Sequence, residues 1–141
     1  MRGALSTRLQ DGNIQMGIVE NAAPIIIVCT RDIVRTATFY CDVLGLAQHS
    51  QDKYAIIFRI GGIDLRVSYV PDFVATGHTG LSFRVKDLGT TVAALRAKGA
   101  VFHRPANMSL DEAGIWTVPG GLGQVAWLTD PEGNMLSITT V

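Results

Sequence analysis

Two aspartates, each preceded by a short apolar run and each followed by a helical stretch that stops at a glycine, constrain this chain more than any other feature. Asp32 to Gly45 spans thirteen positions and Asp87 to Gly99 spans twelve. Such self-similarity marks a duplicated unit. Ahead of the first aspartate, "PIIIVCT" is bounded by Pro24 and Asp32 and reads as a strand buried on both faces. Ile33, Ala37, Tyr40 and Leu44 then recur at helical spacing, with Asp32 as N-cap and Gly45 as C-cap. Three strand-like pieces follow, "LAQHSQD", "YAIIFRI" and "IDLRVSYV", the last two joined by a Gly61-Gly62 turn. The order is βαβββ.

The second half repeats it. "TGLSFRV" is an alternating strand, Asp87 caps "LGTTVAALRAK", Gly99 stops it, and "AVFHRP", "GQVAWLT" and "NMLSITT" supply the remaining strands. The turn "DPEGN" joins the last two, with Pro131 fixing φ and Gly133 tolerating positive φ. The expected fold class is therefore α+β: an N-terminal extension over residues 1–21, a first module over 22–72 and a second over 73–141, forming one compact domain. The longest irregular piece, "ANMSLDEAGIWTVPGGLG", carries Trp116 and reads as a candidate lid.

Composition narrows the function classes. Forty-eight per cent apolar residues in 141 positions suffice for a core without disulfides or metal. Twelve basic and twelve acidic residues cancel and are scattered singly, which leaves no electrostatic footprint for nucleic acid. Cys29 and Cys41 form neither a disulfide framework nor a C-x-x-C pair, and read as buried thiols of a cytoplasmic protein. No apolar run reaches the roughly 20 residues of a membrane helix, and the N-terminal stretch has no signal-peptide pattern.

"RDIVRTATFYCDVLGL" followed by "WLTDPEGNMLSI" resembles the vicinal oxygen chelate superfamily, which groups glyoxalase I, bleomycin-resistance proteins, fosfomycin-resistance enzymes and extradiol dioxygenases. The resemblance covers about residues 24–141 and implies two βαβββ modules curling a mixed sheet around a cleft, often in a homodimer. It also implies a divalent metal held by His and Glu from the first and last strand of each module. Such a metal binds neighbouring substrate oxygens and stabilises the charge that develops on them. Carried over residue by residue, the two histidine positions hold Ile25 and Gly80, and the closing-strand glutamate position holds Ser137. In the first module's last strand, Asp64, Arg66 and Ser68 share one face. Isoleucine and glycine have no side-chain donor.

The leading expectation is a metal-independent protein, with no catalytic residue assigned, that binds a small organic molecule such as a drug or aromatic metabolite. Ile25, Ile27, Tyr54, Phe58, Arg66, His78, Trp116 and Ser137 are its candidate ligand-binding residues. Arg66 in the cleft would repel a divalent metal and favour an anionic or polar organic ligand, with Arg59 as a second fork. Two alternatives stand beside it. One is a metal-dependent lyase, isomerase or dioxygenase using Asp64 and His78 as displaced ligands. The other is a dimeric scaffold whose cleft has collapsed. Adjacent Asp111 and Glu112 read as solvated loop carboxylates, "VPGGLG" as hairpin punctuation, and His49 and His103 as rim residues.

Overall fold

A computed structural model describes residues 17–141, so most of the expected N-terminal extension lies outside the described residues. The first module runs β1 (Ile25–Thr30), α1 (Ile33–Thr38), a π-helical turn (Phe39–Val43), β2 (Ala47–Gln51), β3 (Ala55–Ile60) and β4 (Ile63–Tyr69). The second runs β5 (Thr79–Arg84), α2 (Leu88–Ala97), β6 (Phe102–His103), β7 (Trp116–Val118), β8 (Gly123–Thr129) and β9 (Met135–Thr139). The sheets are ordered β1-β4-β3-β2 and β5-β9-β8-β6. In both, the first strand lies parallel to the last and the remaining ladders are antiparallel. This is the mixed α+β architecture the duplicated sequence implies.

Local chemistry sets the boundaries. Asp32 Oδ1 accepts from the Arg35 backbone N–H at 3.1 Å, and Asp87 Oδ1 from that of Thr90 at 3.1 Å. Gly61 and Gly62, at φ of +53° and +83°, form the tight β3–β4 turn, which needs positive φ at both centres. The π turn sends the consecutive residues Phe39 and Tyr40 into the core together, where their rings meet edge to face at 5.3 Å.

One apolar cluster underlies both modules, filled by Tyr40, Phe58, Leu65, Val92, Leu128 and Leu136 among others. The helix-covered sheet faces and the helices supply it. Strand β1 therefore departs from the sequence reading: Val28 and Thr30 are buried, but Ile25 and Ile27 are 58% and 61% exposed. The pleat sends alternate residues to opposite faces, and the helix covers only one of them. Phe58 is a second correction, because its side chain is fully buried on the convex face and cannot line a cleft. The cysteines are a third: Cys41 is exposed and Cys29 half-buried on the concave side.

The candidate lid is corrected as well. Trp116 to Val118 pair with Val125 to Gly123, while Phe102 and His103 pair with Leu128 and Trp127 farther along the same edge of β8. Strands β6 and β7 thus act as one strand interrupted by the excursion of residues 104–115. Asp111 holds that excursion by accepting from the Ile115 N–H at 2.9 Å, and its carbonyl accepts from Arg104 at 3.0 Å.

The β8–β9 turn fastens the second module to the first. Asp130 Oδ2 accepts from the Tyr40 hydroxyl at 2.9 Å, and Asn134 Nδ2 donates to the Cys29 carbonyl at 3.0 Å. The Glu132 side chain is almost wholly buried and accepts from Arg31 Nε at 2.6 Å and Arg35 Nη2 at 3.3 Å. The Arg31 bond, with help from the Thr30 hydroxyl and against the cost of burial, holds the Glu132 carboxyl below its usual range. Burial, reinforced by the Asp130 charge, pushes the Tyr40 hydroxyl upward.

Candidate functional site

Register fixes what each concave face presents. In the first sheet Ile25 stands beside Asp64 and Asp64 beside Arg59; one pleat on, Ile27 stands beside Arg66 and Arg66 beside Ile57. Arg59 Nε donates to Asp64 Oδ1 at 3.1 Å, and its Nη2 lies 3.1 Å from His49 Nε2. Arg66 Nη2 lies 3.7 Å from Asp52 Oδ2, beyond hydrogen-bond reach.

In the second sheet one concave row runs Ser82, Ser137, Trp127, His103. The Ser82 and Ser137 hydroxyls bond to each other. The next row holds Arg84, Thr139, Val125 and Trp116, and the Trp116 and Trp127 rings lie 6.0 Å apart. Ser137 and Thr139 are buried with their hydroxyls engaged, Thr139 by the Gln124 carbonyl and the Val141 N–H, so this face presents the exposed Ser82 and a paired aromatic wall.

Past an irregularity at Gly80, which interrupts the β5–β9 ladder and has no counterpart in β1–β4, the two modules share one register. Ser137 pairs with Ser82, two residues past Gly80; Arg66 pairs with Ile27, two residues past Ile25. Arg66 is therefore the counterpart of Ser137, and the duplicated positions hold Ile25, Arg66, Gly80 and Ser137. At the seam between the modules lies a pocket of about 170 Å³. Ile27, Cys29, Gly80 and Met135 line it from the strands, and Phe73 and His78 from the connection between β4 and β5.

Of the residues expected from sequence, Ile27 and His78 line this pocket, Arg66 flanks Ile27, and Ile25 shares their face. Ser137 and Trp116 lie on the second concave face. Tyr54 does not join them: it is exposed before β3, with the Lys53 ammonium 4.9 Å from its ring centre. Asp64 is engaged by Arg59 and absent from the pocket that His78 lines. Sequence reasoning misses Ser82, Trp127 and Met135 as site residues, although period-two alternation from Gly80 and Ser137 reaches Ser82 and Met135; Trp127 needs the pairing of β8 with β9.

Paired βαβββ modules, each a mixed sheet covered by a helix on one face, define the fold class. Residues 25–139 match the Glyoxalase-like domain family, and the chain belongs to that family. No curated relative matches it significantly. Among solved structures it is similar to a glyoxalase/bleomycin resistance protein/dioxygenase from Alicyclobacillus acidocaldarius, at 16% identity and a TM-score of 0.65 over 84% of this chain and 90% of that one. Lactoylglutathione lyase from Agrobacterium tumefaciens gives 17% and 0.60, over 84% and 92%. The genomically encoded fosfomycin resistance protein of Listeria monocytogenes gives 12% and 0.64, over 84% and 91%. At these identities the likeness is one of fold.

The superfamily resemblance implies a divalent metal, and the residues at its positions do not fit one. Ile25 and Gly80 have no donor atom, Ser137 offers a neutral hydroxyl engaged by Ser82, and Arg66 brings a positive charge. Among the described residues no group of three or more His, Cys, Asp or Glu side chains converges elsewhere.

Proposed function

We propose that this chain is a cytoplasmic, metal-independent small-molecule-binding protein whose cleft holds a drug or aromatic metabolite. The observation that carries the reading is the occupancy of the four duplicated positions by Ile25, Arg66, Gly80 and Ser137. A cavity of roughly 150 Å³ admits benzene, so the open pocket of about 170 Å³ has room for a single ring. Binding there rests on burying ligand against Ile27, Phe73 and Met135, with orientation from the few polar groups at the rim. A homodimer belongs to the same reading, as the superfamily resemblance implies.

The test is metal content of protein purified without chelator, combined with a thermal-shift screen of single-ring compounds before and after EDTA. Less than stoichiometric metal and a ligand-induced shift that survives EDTA are expected, because a ligand of the native state raises the melting temperature by mass action. One tightly bound divalent ion per chain, lost in His78→Ala, would overturn the reading.

A further inference from the structure

We propose that the cleft selects an organic anion, a carboxylate on a compact apolar or aromatic body, and that Arg66 is the residue that binds its charge. The inference rests on the small-molecule reading of the cleft and names the ligand class. Arg66 occupies in the first module the place that Ser137 occupies in the second, beside Ile27, which lines the pocket. A guanidinium there supplies fixed positive charge on the concave face, and its fork matches a carboxylate with two parallel N–H···O bonds.

The arginine is available for that task. Its one ion-pair partner among the described residues, Asp52, lies 3.7 Å away, and both side chains are solvated, at 35% and 52% exposure. Such a contact is weak. A ligand carboxylate at hydrogen-bonding distance would displace it. The other acidic group on this face, Asp64, is engaged by Arg59 at 3.1 Å, and Arg59 is engaged in turn by His49. Arg84, on the concave face of the second sheet, adds a second exposed cation with no ion pair among the described residues. The apolar body of the ligand would lie against the exposed Ile25 and Ile27.

Benzoate, benzamide and benzylamine share one ring and differ in charge, and calorimetric titration of each into the full chain tests the assignment. Benzoate is expected to bind at least about tenfold more tightly than benzamide, with benzylamine the weakest, as charge-assisted bonds require. Arg66→Gln should abolish the preference for benzoate over benzamide; Arg66→Lys should keep part of it. Equal binding of benzoate and benzamide, or a preference that survives Arg66→Gln, overturns the anion assignment while the small-molecule reading stands. Failure of all three probes to bind, or binding only with added divalent metal, overturns both.

Discussion

Glu132, in the turn that closes the second module, accepts a hydrogen bond at 2.6 Å from Arg31, the residue that leads into the first helix, and so joins two ends of a duplicated fold. The carboxylate is buried, while Arg31 and Arg35 are more than half exposed. Removing the charge leaves both arginines hydrated, so the cost is the lost charge-assisted bonds, about 1.5–3 kcal/mol. Glu132→Gln should lower the melting temperature by roughly 5–10 °C for a domain of this size. The Glu132 carboxyl is held low in the folded state by Arg31, so its stabilisation is complete above the ordinary glutamate pKa of about 4.3. That contribution is lost as pH falls through the lower folded value. Urea denaturation from pH 7 to pH 3 should show a shallower acid decline in Glu132→Gln than in the parent.

Tyr40 and Asp130 form the second bond across the same joint, and the two side chains are not equal in it. Asp130 also accepts from Asn134 Nδ2 at 2.8 Å and from the backbone N–H groups of Glu132 and Asn134. Tyr40→Phe removes one of these bonds and preserves the ring in the core, so a loss of about 1 kcal/mol is expected. Asp130→Ala strips the turn of its acceptor and leaves the buried Tyr40 hydroxyl without a partner, for roughly 3 kcal/mol. Equal losses in the two variants would mean that the turn holds its shape without Asp130.

Much of this architecture was legible because it is written in local chemistry. The aspartate caps, the glycine stops and the Gly61-Gly62 turn depend on residues a few positions apart. What failed depends on which surface covers a strand. "PIIIVCT" looks buried throughout because isoleucine carries no sign of which face is open, and Phe58 looks like a cleft residue until Leu65 and Tyr40 enclose it. Trp116 reads as lid in the sequence because β7 is three residues long and takes its identity from β8. The metal-ligand positions were legible in three places, and the fourth, Arg66, needed the register of β1 against β4.

Pairing of β7 with β8 sets a measurable expectation for the former lid. Those backbone amides of Trp116–Val118 that donate to β8 should exchange hydrogen slowly, alongside those of β8, whereas residues 106–110 should exchange fast. Because Trp116 lies 6.0 Å from Trp127, the only other tryptophan, a ligand on the second face should also alter the emission of both. Exchange throughout Trp116–Val118 as fast as in the excursion would return Trp116 to the role of a mobile cover.

Gly80 separates the space a residue leaves from the backbone freedom it provides. It is not among the glycines at positive φ, and a Cβ built there meets no heavy atom within 4 Å, so the strand tolerates a side chain. Glycine nevertheless opens the wall of the seam pocket, where Ile27 and His78 are its neighbours. Gly80→Ala should therefore leave stability unchanged or raise it by up to about 1 kcal/mol, by restricting the unfolded chain. The added methyl narrows a pocket sized for one ring, so affinity for single-ring ligands should fall about three- to tenfold, since misfit of one methyl group costs of the order of 1 kcal/mol. Melting curves and titrations on the same variant divide the two effects: stability retained with affinity reduced locates the ligand at the β1–β5 seam. Unchanged affinity would move the ligand away from the seam, toward the face of Trp116 and Trp127.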